Sequence, residues 1–256
     1  MTPLPTTEPF ERWVAALEAR HLAELRFAEV TRALRALSSN YVERRNRLAD
    51  GAALSGAGKR AAFALFYGPL HYLLLRAIAA TLPAASSVAG HILDLGCGTG
   101  AAGAAWALAC PARPSLTGLD RHPWAASETN WTYHGLGLRG RARAVDLVTS
   151  RLPRADAYLA AFFLNELPDP ARRNILSSLL DRARQGASVL VVEPLAKTAV
   201  PWWPEATREV LAVGGRADEW RVEVTLPDVV SRLDRAAGLR HRQLSARSLW
   251  IGRAAC

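Results

Sequence analysis

Residues 91 to 100, His-Ile-Leu-Asp-Leu-Gly-Cys-Gly-Thr-Gly, constrain the fold of this chain more than any other stretch. A short apolar run leads straight into Gly96, Gly98 and Gly100, and a helical stretch near 100 to 110 follows. A buried strand, a glycine turn and a helix in that order form the first half of a parallel crossover unit, and the turn lets main chain approach a nucleotide-like ligand closely. The alternation continues downstream. Further strands are expected at 115 to 120, 141 to 145, 156 to 164 and 188 to 192, with helices near 124 to 135 and 170 to 184, the signature of a parallel sheet with crossover helices. After an irregular, Trp- and Pro-rich stretch from 193 to 220, a helix is expected over 226 to 237. Residues 240 to 244 and 248 to 253 then read as two short strands, close enough to form a hairpin. No internal repeat or low-complexity tract interrupts this order.

Upstream, Phe10, Trp13, Val14 and Leu17, then Phe27, Val30, Leu34 and Leu37, recur at steps of three and four, which predicts helix after a Thr7 cap. Residues 50 to 58 are a Gly/Ala/Ser loop. Its Gly-Lys end does not make a Walker loop, because Ala53 stands where the first glycine belongs and Arg60 replaces the magnesium-binding hydroxyl. Residues 61 to 82 are apolar enough to cross a bilayer. Against a membrane span stand the Gly68-Pro69 pair and Arg76, which would cost ~2.5 to 3.5 kcal/mol near a bilayer centre. Two short helices, the second starting at Pro69, are expected instead, with no membrane partner.

The chain has 256 residues, 50% hydrophobic and 21% charged, which is material for a sizeable core and excludes a disordered chain or a disulfide-stapled miniprotein. Its 32 basic and 23 acidic side chains leave a net charge of +9, an invitation to a nucleic acid or an anionic surface. However, Lys59 and Lys197 are the only lysines, and a chain rich in arginine and alanine also follows from GC-rich codons. The excess is spread evenly along the chain, with no basic tail. Cys97, Cys110 and Cys256 have no metal-ligand spacing, and residues 1 to 13 lack the pattern of a signal peptide, so a reduced, cytoplasmic protein without a metal is expected.

Gly98, Gly100 and Gly103 satisfy the weak dinucleotide pattern GxGxxG, which leaves a nicotinamide oxidoreductase as a competing reading. Asp94 argues against it. A carboxylate just before the glycines would repel a pyrophosphate, whereas it would attract the ammonium and sulfonium of S-adenosylmethionine. Asp94-Leu-Gly-Cys-Gly-Thr-Gly100 resembles the first motif of the class I S-adenosylmethionine-dependent methyltransferases, and the resemblance extends over about residues 89 to 253. It implies an α/β, Rossmann-like, seven-stranded, mostly parallel sheet whose last strand is antiparallel, preceded by an N-terminal helical region. Residues 1 to 85 would then cap the substrate side, and 89 to 256 would form the cofactor-binding domain with an insert at 194 to 220. By the same resemblance Asp120, ending the second strand, meets the ribose hydroxyls, and Asp146, after the third, meets the adenine amino group. The implied cofactor set is Asp94, Gly96, Cys97, Gly98, Gly100, Asp120, Arg121, Asp146, Leu147 and Asn165.

Methyl transfer is an in-line displacement, so alignment supplies much of the catalysis and a base is optional. The fourth strand runs into Asn165-Glu166-Leu167-Pro168, placing Asn165 and Glu166 on the substrate side. Glu166 and Leu167 replace the two prolines of the motif used on planar exocyclic amines, which disfavours base N-methylation; Asn165 alternatively caps the next helix. Glu193 either faces the same crevice or turns the chain before Pro194. His71, His122 and His134 are the possible bases; His122 falls near the adenosine, and His71 is better placed if the N-terminal helices cover the pocket. Tyr67, Tyr72, Trp202 and Trp203 are candidates to line a cavity for a small organic acceptor.

RNA is the alternative partner. Arginines cluster at Arg44, Arg45 and Arg47, at Arg139, Arg141, Arg143, Arg151 and Arg154, and at Arg240 and Arg242 beside His241. In addition, Tyr41-Val42-x-x-Arg45 ahead of such a domain is similar to the ribosomal small-subunit-associated methyltransferase-like proteins, although their cysteine cluster is missing. That resemblance implies an RNA- or ribosome-associated protein, with or without catalysis.

Overall fold

The computed structural model describes residues 7–43, 54–82 and 85–252. The cluster of Arg44, Arg45 and Arg47 lies outside the described residues, as does Cys256. Helices α1 (Glu8–His21) and α2 (Phe27–Glu43) open the chain, and α1 buries Phe10, Trp13, Val14 and Leu17 on one stripe, as their spacing requires. Next come α3 (Ala57–Ala62), a π-helical turn (Phe63–Tyr67) and α4 (Gly68–Thr81). These three run on as one helix, so the expected break at Gly68-Pro69 does not occur. Pro69 has no N–H to donate and would crowd the preceding turn of a regular helix. The wider turn absorbs it, with the Gly68 N–H bonded to the Phe63 carbonyl. The combined helix, Ala57–Thr81, is long and apolar enough to cross a membrane, but 78% of its apolar window is buried inside the protein.

The remainder is the expected α/β alternation: β1 (His91–Leu95), α5 (Ala101–Ala109), β2 (Ser115–Asp120), α6 (Pro123–Gly135), β3 (Gly140–Ala144), β4 (Ala157–Ala161), α7 (Asp169–Arg184), β5 (Ser188–Glu193), α8 (Trp203–Ala212), β6 (Arg216–Glu223), α9 (Asp228–Ala236) and β7 (Gln243–Ile251). The seven strands form one sheet in the order β3-β2-β1-β4-β5-β7-β6. The first five are mutually parallel, and β7 is antiparallel to both neighbours. Strands β1, β2, β4 and β5 are covered on both faces and therefore read as continuous apolar runs.

Two expectations about the C-terminal part are corrected. In place of the expected hairpin a single strand runs through Gln243–Ile251, because Ser245-Ala246-Arg247-Ser248 stays extended along β6 and, from Arg247 on, along β5 as well. Residues 194 to 220 are not an insert beside the sheet, since they supply α8 and the start of edge strand β6. An edge strand buries only one face, here through Trp220 and Val222, and the Trp220 indole N–H donates to Ser248 Oγ at 2.8 Å.

The core lies on both faces of the sheet. Helices α4, α5, α6 and α9 cover one face with α1 and α2 packed outside them, while α7 and α8 cover the other. The N-terminal helices thus share a core with the sheet. Buried Glu128 on α6 reinforces the junction, pairing with His21 at 2.7 Å and Arg20 at 3.2 Å from α1.

Candidate active site

Strand order reverses between β1 and β4, and the crevice at the carboxyl ends of these strands is where an open α/β sheet binds ligands. A cavity of about 540 Å³ occupies it, within the size range of small-ligand sites. The glycine turn forms its floor. Gly96, Gly98 and Gly100 all take left-handed conformations, with φ of 63°, 55° and 74°. At Gly96 the requirement is doubled, because a Cβ there would lie 2.2 Å from the Phe163 ring.

Hydrogen bonds fasten the turn to β2. The N–H groups of Gly96 and Cys97 donate to the Leu119 carbonyl at 2.8 and 3.1 Å. Asp120 accepts from the Gly98 N–H at 3.0 Å and from the His122 N–H at 2.8 Å, and Thr129 Oγ1 donates to the Gly98 carbonyl at 3.0 Å. Asp120 is therefore a structural clamp on the turn, and its carboxylate keeps further lone pairs for a ligand.

Three carboxyl groups in the cavity hold their protons more tightly than an ordinary carboxyl does. Burial pushes Asp94 up to about 7, with the neighbouring Asp120 charge adding to the effect and the Gly103 N–H opposing it. Burial likewise raises Asp120, against the two N–H groups it accepts from. Glu166 reaches about 7 through burial and the Asp120 charge, with Arg121 opposing. By contrast, burial lowers His71 to about 4, so its imidazole is neutral at pH 7.

The lining brings together Asp94, Gly96, Cys97, Gly98, Asp120, Arg121, Asp146, Leu147, Glu166 and His71 from the sequence-predicted set. Asp146 also turns its own backbone, accepting from the Val148 N–H at 2.9 Å. Two predicted residues are placed elsewhere. Gly100 starts α5 and packs on Thr129 and Tyr133. Asn165 lies outside the lining because its N–H donates to buried Glu193 at 3.1 Å, leaving its side-chain oxygen buried and unpaired.

The aromatic candidates also move. Tyr72 stacks on Phe10 at 4.6 Å in the N-terminal core, and Tyr67 shares a 3.3 Å hydrogen bond with Ser38. Trp202 and Trp203 lie under the guanidinium groups of Arg172 and Arg247. His134 is exposed, and His122 lines the cavity while capping α6 through the Trp124 N–H at 3.1 Å. Phe63, Phe162 and Phe163 line the cavity in place of the other aromatics. The Phe162-Phe163 pair at the end of β4 was a visible signal; nothing in the local sequence marks Phe63. Among the described residues no group of His, Cys, Asp and Glu is arranged to hold a metal.

Strand order, the glycine turn at the switch point and carboxylates at successive strand ends define a Rossmann-like α/β fold with its ligand crevice at that point. Among solved structures the chain is similar to an O-methyltransferase family protein from Burkholderia thailandensis, with a TM-score of 0.53 and 15% identity over 94% of this chain and 70% of that one. It is also similar to the mitomycin 7-O-methyltransferase MmcR, with a TM-score of 0.50 and 18% identity over 98% of this chain and 74% of that one. No protein-family model and no curated protein matches the sequence.

Proposed function

We propose that this cavity binds S-adenosylmethionine and that the protein transfers its methyl group to a small organic acceptor. The observation that carries the reading is the set of carboxyl groups around a glycine turn, buried Asp94 with half-buried Asp120 and Glu166. Such groups resist ionisation until a cation arrives, and a ligand bearing ammonium and sulfonium charges supplies one. A pyrophosphate would meet the same carboxylates as a like charge, so a nicotinamide cofactor fits poorly. Gly103 serves packing, since a Cβ there would lie 2.5 Å from Asp94 Oδ2.

The bound cofactor supplies an electrophilic methyl group. Asp94 binds the cationic end, Asp120 the ribose hydroxyls, and Asp146 with Leu147 the adenine, at the far side of the turn from β4. Glu166 and His71 face the acceptor. The apolar side of the cavity, with Phe63, Phe162, Phe163 and Leu167, favours a compact acceptor. Isothermal titration of the folded protein with S-adenosylmethionine and S-adenosylhomocysteine tests the reading; binding of neither overturns it.

A second reading, an RNA-associated protein, draws on edge strand β3, whose Arg141 and Arg143 are exposed and make no ion pair among the described residues. Arg139, Arg151 and Arg154 are exposed nearby. Salt-dependent binding of structured RNA, lost on neutralising Arg139, Arg141 and Arg143, would support it.

A further inference from the structure

The cavity has two chemically different ends. The ends of β2 and β3 contribute Asp120, Arg121 and Asp146 on one side of the glycine turn, while β4 and the helix through 57 to 81 contribute Phe63, His71 and Phe162 on the other. At this second end the His71 imidazole stacks on the Phe162 ring, with centroids 4.5 Å apart and planes at 17°. Phe63 meets the same imidazole edge-on, at 6.4 Å and 82°. Phe162 holds its place in a left-handed backbone conformation, φ 56°, that bulky side chains rarely adopt, and its N–H is fixed to the Val192 carbonyl at 2.7 Å. Half-buried His71 lines the cavity and makes no hydrogen bond among the described residues, so its ring nitrogens are open to a guest from within an aromatic wall.

Resting on the reading of this cavity as a methyl-transfer site, we propose that its second end takes a flat aromatic ring bearing a hydroxyl, with the ring against Phe63, His71 and Phe162 and the hydroxyl donating to the His71 imidazole. The rings offer faces and edges to a planar guest, which a saturated ring cannot match. Neutral imidazole has one acceptor nitrogen, and a hydroxyl satisfies it. In the transfer, the hydroxyl oxygen bonds to the methyl carbon while the carbon–sulfur bond breaks and its electron pair stays on sulfur. The hydroxyl proton passes to the His71 nitrogen and from there to water. A neutral aromatic amine is the stronger nucleophile of the two and sheds its proton only after attack, so a base in contact with the acceptor accelerates a hydroxyl more than an amine.

The test uses the whole chain saturated with S-adenosylhomocysteine and titrated with 2-naphthol, decahydro-2-naphthol and 2-naphthylamine. 2-Naphthol is expected to bind at least about tenfold tighter than its saturated counterpart. With S-adenosylmethionine, 2-methoxynaphthalene and S-adenosylhomocysteine should form in equal amounts. H71F, which keeps a ring in the wall, should retain S-adenosylhomocysteine affinity and lose turnover by about a hundredfold or more. F63L should weaken 2-naphthol binding several-fold and serves as the second variant should H71F fail to fold. Equal affinity for the saturated alcohol, preferential methylation of the amine, no binding of any probe, or unchanged turnover in H71F overturns the proposal. Failure of S-adenosylhomocysteine itself to bind, seen in the first titration, overturns the cofactor reading instead.

Discussion

Cofactor affinity should rise with pH through neutrality, and Asp94 should carry most of the rise. Burial, with 1% of the residue exposed, and the facing Asp120 charge push its carboxyl up to about 7, against an ordinary value of 3.8. A ligand with a fixed positive charge binds the ionised carboxylate in preference, so affinity follows the ionised fraction. With a pKa of about 7 that fraction grows from about 3% at pH 5.5 to about one half at pH 7.0, a gain of about fifteenfold or ~1.6 kcal/mol. The ligand's own amino group titrates near 8 on the α-amino scale, so the series stops at pH 7.0. Isothermal titration with S-adenosylmethionine across this range measures the slope. Repeating it at pH 7.0 in phosphate and in an amine buffer of larger ionisation enthalpy should reveal about half a proton released per ligand bound. D94N, neutral and of equal size, should bind weakly and with little pH dependence, whereas E166Q should keep the Asp94 slope. A flat affinity in the wild type, or a slope that survives in D94N, would refute the assignment.

The same ionisation bears on the unliganded fold. A carboxyl whose folded pKa lies above its unfolded value holds its proton more tightly in the folded chain, so Asp94 stabilises fully below about pH 4 and loses that contribution as pH rises through 7, up to on the order of 4 kcal/mol. Urea midpoints should therefore fall more between pH 5 and 7.5 for the wild type than for D94N, and saturating S-adenosylhomocysteine should restore much of the loss. D120A removes the acceptor for Gly98 and His122 as well as the proposed ribose contact, and should weaken cofactor binding by about 2 kcal/mol in calorimetry; unchanged affinity would sink the role of this carboxylate. G96A sets a methyl group against Phe163 in a left-handed backbone, and should lower unfolding free energy by about 1 to 3 kcal/mol in urea titration.

What the sequence determined by itself was whatever the local chain encodes. Strand, glycine turn and helix at 91 to 110 are specified by residues adjacent in sequence; Asp94 and Asp120 fall where the apolar runs of β1 and β2 stop, while Asp146 follows β3, an exposed edge strand with no apolar run to mark it. Tertiary structure decided the rest, since the partners are remote. Edge strand β6 exists because β7 offers it a ladder, although only Trp220 and Val222 of its side chains are buried. Helix continues through Gly68-Pro69 because its apolar surface is covered on packing, which outweighs one lost main-chain hydrogen bond. Buried Glu193 accepts the Asn165 N–H and fixes the turn after β4, leaving Asn165 outside the lining while Glu166 faces the cavity. Phe63 and His71 meet Phe162 only once that long helix lies across the end of β4, which is why the aromatic end of the cavity left almost no trace in the linear sequence.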